Sequence, residues 1–389
     1  MDDMDYYERS LQLHALHKGK LETASKVPVR TQEDLSTVYA PGVAEPCMLI
    51  AQDPENARRY SIKANAVAVV SDGSSVLGLG NIGGLAALPV MESKAVLFKE
   101  FGGIDAFPIC LDTQDTDEIV ETVKNIAPAF GGINLEDISA PRCFEIEKRL
   151  NAELDIPVFH NDQHGTAIAC GAAVINSFKL IGKPLQDVRA LVCGAGVCGS
   201  AIVKMLFLLG IRDIVVCDSK GILNATRLPE FGEDKIELLE MTNKEGLSGD
   251  LAKAIKDRDL FIGASKPNIV TGAMIGSMKK HPVVFATANP EPEIPQDLAL
   301  AAGARVVGTG KPDFPNQISN LLVFPGLFRG VLDIGATDVT EEMKIAAAYA
   351  LAGLVSDEEL SDEYILPSVF KDGVADALAK AVADAWHFT

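Results

Sequence analysis

A glycine-rich turn between an apolar strand and an apolar helix constrains the fold of this chain more than any other sequence feature. Residues 190–210 read ALVCGAGVCGSAIVKMLFLLG. Glycines let the backbone approach a pyrophosphate closely, and the helix N-terminus offers N–H donors and partial positive charge. The next strand ends in Asp218, whose carboxylate can accept hydrogen bonds from both ribose hydroxyls. This fingerprint predicts a nicotinamide dinucleotide site formed by Gly194, Ala195, Gly196, Val197, Cys198, Gly199 and Asp218.

Short apolar runs that close on small or polar residues recur through the second half of the chain. Runs of this kind are typical of parallel strands buried on both faces, and the helical stretches between them predict right-handed crossovers. The fold class is therefore α/β, with a doubly wound parallel sheet of the Rossmann type and ligand sites at the carboxyl ends of its strands. The runs are ALVCGAG (190–196), DIVVCDS (213–219), DLFIGAS (259–265), PVVFATANP (282–290) and ARVVGTG (304–310).

The first 150 residues are less regular and predict a second α/β unit. At about 100–200 residues per domain, a chain of 389 residues corresponds to two domains. We predict an N-terminal catalytic domain at 1–158, a dinucleotide-binding domain at 159–340, and C-terminal helices at 341–389 that pack back on the domain seam. The expected elements are an N-terminal helical stretch, strands at 67–77, 95–98 and 106–112, and helices at 117–126, 144–154, 346–355 and 374–386.

Charge and cysteine usage exclude several classes of partner. Thirty-five basic and 54 acidic residues give a net charge of −19, which repels nucleic acid and anionic lipid. No stretch reaches the roughly 18 apolar residues of a membrane span, and the acidic start MDDMDYYERS is unlike a signal peptide. Seven cysteines without a CxxC pair fit neither a disulfide framework nor a zinc ribbon. We expect a cytoplasmic protein with reduced thiols and no nucleic-acid or membrane partner.

A second glycine motif, in SDGSSVLGLGNIGG (71–84), lacks a following strand that ends in an acid. A second nucleotide site is one interpretation of Gly78, Gly80 and Gly83. The alternative is that these glycines let the backbone pass close to a substrate or to the neighbouring domain.

Three carboxylates, Glu136, Asp137 and Asp162, are oxygen ligands of the kind that Mg²⁺ or Mn²⁺ selects. Adjacent acids at a helix start are also common as capping or solvated charge. The run His160, Asp162 and His164 could instead place three zinc ligands on one strand face, or satisfy local hydrogen bonds.

Lys94 and Tyr39 are candidates for acid–base chemistry. Lys94 lies in the apolar setting PVMESKAVLF, where burial would make its amine usable as a base; a lysine before a strand is otherwise a surface residue. Tyr39, in the rigid loop STVYAPGVAEP, could donate a proton or simply pack.

Taken together, these segments resemble the malic enzymes, in particular the short bacterial type. The match spans roughly residues 36 to 333, and long ordered motifs make it specific. The segments that carry it are VYAPGVAEPC (38–47), SDGSSVLGLGNIGG (71–84), ESKAVLFKEFGGIDAFPICLDT (92–113), INLEDISAPRCFEIE (133–147), FHNDQHGTA (159–167), GAGVCG (194–199), TANPEPEI (287–294) and PNQISNLLVFPGLFRG (315–330).

The resemblance implies oxidative decarboxylation of (S)-malate to pyruvate and CO₂ with reduction of NAD(P)⁺, and also decarboxylation of oxaloacetate. It implies a divalent cation, Mg²⁺ or Mn²⁺, on Glu136, Asp137 and Asp162. Lys94 would then act as the general base, and Tyr39 would protonate C3 of enolpyruvate.

Further expectations follow from the same resemblance. Asn289 and Asn320 match positions that contact the substrate carboxylate or the cofactor, and the small forms of the family are homodimers or larger homo-oligomers. Asp218 would repel a 2′-phosphate and favours NAD, although Ser219 and Lys220 next to it could accommodate NADP.

The chain departs from the family pattern at three positions that we expect to face the site. Asn161 stands where an Asp is usual, Asn81 replaces an Asp of the glycine loop, and Ser319 replaces an Asn. If the missing carboxylate at 161 supports the base lysine, activity should be reduced or shifted in pH rather than lost.

Three rival functions remain open from the sequence. A relative could convert malate to lactate, or decarboxylate oxaloacetate, without net release of NADH. An amino-acid dehydrogenase shares the architecture but leaves the acidic residues unexplained. A redox sensor that binds NAD(H) without turnover would fit the three departures.

Overall fold

The computed structural model describes residues 5–76 and 78–386; Leu77, at the end of the predicted strand 67–77, lies outside them. Two sheets form the framework. Their strands are β1 (Ala66–Ser71), β2 (Asp105–Cys110), β3 (Gly132–Leu135), β4 (Val158–His160), β5 (Arg189–Cys193), β6 (Asp213–Asp218), β7 (Gly221–Ile222), β8 (Leu260–Gly263), β9 (Val283–Ala286) and β10 (Val306–Thr309). The helices are α1 (Tyr6–His17), α2 (Gln32–Val38), α3 (Ala44–Gln52), α4 (Asn56–Tyr60), α5 (Gly84–Gly102), α6 (Thr116–Ile126), α7 (Arg142–Glu153), α8 (Asn161–Ile181), α9 (Val197–Leu208), α10 (Glu233–Met241), α11 (Leu251–Ile255), α12 (Gly272–Gly276), α13 (Gln296–Ala301), α14 (Phe324–Ile334), α15 (Glu341–Gly353) and α16 (Val374–Ala385).

The first sheet has the strand order β2-β1-β3-β4, and all its pairs are parallel. Strands β1 and β3 are buried along their whole length, as expected for strands covered on both faces. Strand β4 straddles the predicted domain boundary at 158/159 and pairs with this sheet. The division of the chain at that point stays a prediction.

The second sheet has the order β10-β9-β8-β5-β6-β7. The five predicted apolar runs form β5, β6, β8, β9 and β10, and every pair among them is parallel, which confirms the α/β doubly wound class. The two-residue strand β7 pairs antiparallel with β6. Two residues are too few to show the alternation of apolar and polar side chains that predicts a strand from the sequence.

The predicted strand at 95–98 is wrong, because these residues lie within helix α5. Met91, Ala95 and Phe98 are buried at helical spacing, and Gly103 ends the helix in the left-handed conformation. A short apolar run cannot by itself distinguish a buried helix from a strand. Lys94 therefore projects from a helix and does not precede a strand. The strand predicted at 67–77 is also shorter than expected and ends at Ser71.

Helix α8 joins the two halves of the molecule. It starts directly after β4 of the first sheet and packs against α9, which follows β5 of the second. The predicted C-terminal helices form α15 and α16, and α15 packs on α8. The Asn176 side chain of α8 donates to the carbonyls of Ala352 and Ile365, both at 2.9 Å, and so ties the C-terminal segment to the core.

The N-terminal arm, residues 5–60, differs from the rest because none of its four helices contains a buried residue. Large apolar side chains project from it, including Tyr7, Leu11 and Leu16, each more than 70% exposed. Among the described residues, no helix has the length and apolar character needed to cross a membrane.

Candidate active site

Three carboxylates converge at the carboxyl end of the first sheet. Glu136 and Asp137 follow β3, and Asp162 lies in the first turn of α8, just after β4. Because β3 and β4 are parallel neighbours, the segments that follow them meet at one edge. One oxygen from each residue lies within 4.8 Å of the others. The structure thus brings the three predicted ligands together. Glu136 and Asp137 follow a strand and do not lie at the start of a helix.

This cluster concentrates negative charge where water is scarce. Burial and the neighbouring Asp162 and Glu136 raise the pKa of Asp137 to about 8. Burial also raises the pKa values of Glu136 and Asp162. Atom Oδ2 of Asp137 is buried and has no hydrogen-bond partner among the described residues. Three buried oxygen donors with an unpaired acceptor fit a hard divalent cation, which would supply the missing positive charge.

Lys94 is the cation placed against this cluster. Its Nζ lies 3.1 Å from Oε1 of Glu136 and 4.5 Å from the centre of the Phe324 ring, and its side chain is only 10% exposed. The ring face attracts the ammonium, and the carboxylate fixes it from the other side. Helix α5 thus delivers the predicted base to the predicted ligands.

Asn161 lies at the start of α8, and Asn320 packs against the same helix. Asn161 is buried, and its Nδ2 donates to Oε2 of Glu136 at 3.2 Å, while its Oδ1 has no partner among the described residues. The Cβ of Asn320 lies 3.0 Å from where a Cβ on Gly165 would stand, so Asn320 packs against the same turn. Asn161 therefore contacts the carboxylate cluster, and Asn320 lies against the helix that carries Asp162.

The zinc interpretation of the HxDxH run is wrong in its geometry. Residues 161–164 are helical, so His160, Asp162 and His164 do not share a strand face. The ring of His164 contacts Glu147 on α7, with Nε2 lying 3.0 Å from Oε1. A carboxylate accepts only, so Nε2 carries the hydrogen. The alternative of local hydrogen bonding describes His164 correctly.

The glycine turn after β5 has the geometry of a nucleotide cradle. A Cβ added at Gly199 would lie 1.9 Å from the carbonyl oxygen of Gly194, so no larger residue fits there. Nothing lies within 4 Å of the corresponding point at Gly196, which starts α9. The helix N-terminus has no side-chain cap, and its N–H groups are open to an anion.

Asp218, at the end of β6, is held by two cations that the motif did not predict. Arg227 donates to both of its carboxylate oxygens, at 3.0 and 2.8 Å, and Nζ of Lys235 lies 3.1 Å from Oδ2. Burial opposes ionisation, but these contacts lower the pKa of Asp218 to about 2. The acid therefore stays charged and oriented.

The second glycine loop approaches the nucleotide-binding half of the chain. A Cβ at Gly78 would stand 3.1 Å from the carbonyl oxygen of Asn289, and Gly78 has a positive φ of 78°. This confirms close passage to the neighbouring half. Below the Asn289 turn, the buried Glu293 accepts from the N–H groups of Ser265 and Ala288, at 2.8 and 3.1 Å, and links the loops after β8 and β9.

Tyr39 and two of the three departures make no hydrogen bond to Lys94 or the carboxylates among the described residues. Tyr39 is 67% exposed on the arm, and no hydrogen bond joins it to Lys94 or the carboxylates within the described ranges. Asn81 is exposed and exchanges two amide hydrogen bonds with Gln114, at 3.0 and 2.9 Å. Ser319 accepts from the N–H of Leu321 at 3.2 Å. Asn161 is the departure that contacts the cluster.

The two cysteines that flank the glycine turn are unreactive thiols. All seven cysteines are free, and burial raises the pKa values of Cys193 and Cys198, which flank the glycine turn, to about 12. Thiols with such values are unreactive near neutral pH, so both side chains serve as small apolar groups in the core.

The chain matches known proteins over nearly its whole length. Residues 18–151 match the family described as malic enzyme, N-terminal domain, and residues 163–385 match malic enzyme, NAD binding domain. A bifunctional malic/malolactic enzyme of Bacillus subtilis is 55% identical, covering 98% of this chain and 93% of that protein. An NAD-dependent malic enzyme of Geobacillus stearothermophilus is 53% identical, covering 95% and 77%.

Solved structures agree with the sequence relatives. The crystal structure of an NAD-dependent malic enzyme from Thermotoga maritima superposes with a TM-score of 0.93 at 46% identity, covering 98% of this chain and 99% of that one. The malic enzyme of Pyrococcus horikoshii gives 0.92 at 45%, covering 96% and 90%. The two family matches, the identity and the shared fold lead to one conclusion. This chain belongs to the malic enzyme family and is an NAD- or NADP-dependent enzyme of that family.

Proposed function

We propose that this enzyme oxidatively decarboxylates (S)-malate to pyruvate and CO₂, with Glu136, Asp137 and Asp162 holding Mg²⁺ or Mn²⁺. The observation that carries the proposal is the buried carboxylate cluster with Lys94 in contact. Three acids and one ammonium leave net negative charge in a dry site, and a divalent cation balances it. When bound, the cation polarises the oxygens of malate as a Lewis acid, and the nicotinamide accepts a hydride from C2.

The remaining steps are assigned to side chains of this chain. Lys94, in its neutral form, removes the proton of the C2 hydroxyl, and Phe324 and Glu136 fix the direction of its amine. Asn289 and Asn320 hydrogen-bond the substrate carboxylate or the nicotinamide amide. Tyr39 is exposed on the arm and outside contact with the cluster in the single chain, so it would have to reach the substrate to donate the proton that C3 gains after CO₂ leaves.

Decarboxylation of added oxaloacetate is part of the proposal, because oxaloacetate is the keto acid formed when malate loses the proton of its C2 hydroxyl and a hydride from C2. A second candidate is conversion of malate to lactate without net release of NADH. The name of the Bacillus subtilis relative, a bifunctional malic/malolactic enzyme, favours keeping it.

For the cofactor, we propose NAD with NADP also accepted. The Asp218 carboxylate can hold both ribose hydroxyls and opposes a 2′-phosphate. Arg227 and Lys235 beside it offset that repulsion and give a phosphate two cationic partners. The ratio of kcat/KM for the two cofactors measures the balance.

We also propose a homodimer or larger homo-oligomer. The arm, residues 5–60, leaves many apolar side chains exposed, and exposed apolar surface of this extent is typical of a protein interface. A second copy of the chain is the simplest partner, and multi-angle light scattering gives the subunit number.

The activity is tested by following NAD(P)H absorbance with purified protein, malate and Mn²⁺, with NAD⁺ and NADP⁺ in parallel. Reduction that stops in EDTA and returns with excess Mn²⁺ supports the proposal. A flat trace from protein that binds NADH in solution would contradict it and favour either the sensor or the conversion of malate without net release of NADH.

A further inference from the structure

Glu147 on α7 is a buried acid outside the carboxylate cluster. Glu147 is 9% exposed, and its carboxylate accepts hydrogen bonds from three residues at the junction of β4 and α8. The N–H of His160 donates at 2.8 Å, Nε2 of Gln163 at 3.0 Å, and Nε2 of His164 lies at 3.0 Å. Burial opposes its charge, yet the charge and hydrogen bond of His164, together with the charges of His160 and Lys344, lower the pKa of Glu147 to about 2.

This segment carries the ligand Asp162, and apart from the pairing of β4 with β3 and the contacts of Asn161 and Asp162 with the cluster, Glu147 is the side chain that holds it from α7. Helix α8 begins after His160, which makes no side-chain cap for it. Oδ2 of Asp162 accepts from the N–H of Asp137 at 2.8 Å, so the position of the turn also sets the spacing between the two acids. A displacement of the turn would therefore change the ligand geometry directly.

We propose that Glu147 is a positioning residue of the divalent cation site. It fixes the backbone of His160 and the side chains of Gln163 and His164, and so holds Asp162 at the spacing that binds the cation. The inference rests on the proposed function, because it requires a cation on the cluster. Groups that hydrogen-bond a metal ligand directly typically change metal affinity 10–100-fold when they are removed, and we take the same range for Glu147, which acts through the neighbours of Asp162.

Glu147 can be reached from solvent without passing the cluster. It lines a cavity of about 1060 Å³ between α7, α8, α9 and α15, together with Gln163, His164 and Lys344. Residues 163, 164 and 167 of α8 face this cavity, whereas Asn161 and Asp162 face the cluster. A small carboxylate added to the solution can therefore enter the space that a truncated side chain leaves.

The test is direct Mn²⁺ titration by calorimetry of wild type, Glu147→Ala and Glu147→Gln, with Glu145→Ala as control. Glu145 lies on the same helix and lines the same cavity, but its side chain is 62% exposed and pairs with Arg149 at 3.5 Å. We expect Glu147→Ala to weaken Mn²⁺ binding roughly 10–100-fold, with NAD⁺ affinity within about twofold of wild type. Glu145→Ala should bind both like wild type.

Two further readouts separate positioning from general stability. Formate or acetate should restore part of the Mn²⁺ affinity of Glu147→Ala by filling the vacated space. Glu147→Gln keeps the side-chain shape, so it tests the positioning role if the alanine variant does not fold. Its one carbonyl oxygen replaces two carboxylate acceptors, and Mn²⁺ binding should still weaken several-fold.

The proposal is overturned if the folded Glu147 variants bind Mn²⁺ within twofold of wild type. It is equally overturned if Mn²⁺ and NAD⁺ binding weaken together, because that pattern indicates loss of the fold. Failure of the wild type itself to bind Mn²⁺ would contradict the proposed cation site, and the two failures are therefore distinguishable.

Discussion

Replacing Asp137 with asparagine should make the metal-free protein more stable while removing its affinity for Mn²⁺. The pKa of Asp137 is raised from 3.8 to about 8 by burial and by Asp162 and Glu136. At pH 7 the folded protein therefore holds a proton that the unfolded chain has released. Holding it costs about 4 kcal/mol at 1.36 kcal/mol per pH unit above 3.8.

Asparagine removes this cost and keeps the shape of the side chain. Its Nδ2 can donate to Asp162 or Glu136, although a buried amide that pairs imperfectly costs roughly 1–3 kcal/mol. We expect a net gain of about 2 kcal/mol at pH 7. For a carboxyl group with a raised pKa, stability is full below the unfolded value and is lost as pH rises towards the folded one. The gain should therefore grow from pH 5 to pH 8.

The assay is urea unfolding in EDTA, followed by circular dichroism at pH 5, 7 and 8. Asp117→Asn is the matched control, because the Asp117 side chain is 79% exposed and its removal should change stability by at most about 0.5 kcal/mol. Saturating Mn²⁺ should stabilise the wild type, by about 2.7 kcal/mol at 100 times Kd, and leave Asp137→Asn unchanged. A metal-free variant that is less stable than wild type at pH 8, or a gain equal at all three pH values, would refute the reasoning.

Three other changes test separate parts of the site. Gly199→Ala should abolish NAD⁺ binding, measured by fluorescence titration, because its Cβ would lie 1.9 Å from the carbonyl oxygen of Gly194. An NAD⁺ affinity within threefold of wild type would contradict this. Arg227→Ala should lower kcat/KM for NADP⁺ at least tenfold more than for NAD⁺, since Asp218 then repels the 2′-phosphate unopposed; equal losses would show that the arginine is not selective. Asn161→Asp should move the pH–kcat profile to higher pH, because a further carboxylate near the ammonium of the base favours its charged form; superimposable profiles would disprove a role for this departure.

The five parallel strands of the second sheet were predictable because each contains a short apolar run that closes on small or polar residues. A strand covered on both faces has apolar side chains on both, so its sequence shows a continuous apolar run and no alternation with polar residues. The run AVLF has the same composition, but Met91, Ala95 and Phe98 place it on the buried face of a long helix. The difference lies in the neighbouring turns of α5, which a four-residue window does not contain.

From the residues alone, only the ligand types of the site were predictable, and it was the family resemblance that grouped Glu136, Asp137 and Asp162 with Lys94. Spacing along the chain places Glu136 and Asp162 far apart, and only the pairing of β3 with β4 makes the segments after them neighbours. Glu147 was missed because its partners lie on a different element and its own helix gives it an ordinary amphipathic position. Arg227 was missed for the same reason, since it reaches Asp218 from a turn beyond β7.

The product balance of a single reaction shows whether this enzyme oxidatively decarboxylates (S)-malate with a divalent cation. Purified protein is incubated with (S)-malate, NAD⁺ and Mn²⁺, and NADH, pyruvate, lactate and CO₂ are quantified together, with a parallel sample in EDTA. We predict equimolar NADH, pyruvate and CO₂, no lactate, and no turnover in EDTA. Lactate formed without NADH, or pyruvate formed at full rate in EDTA, would contradict the account.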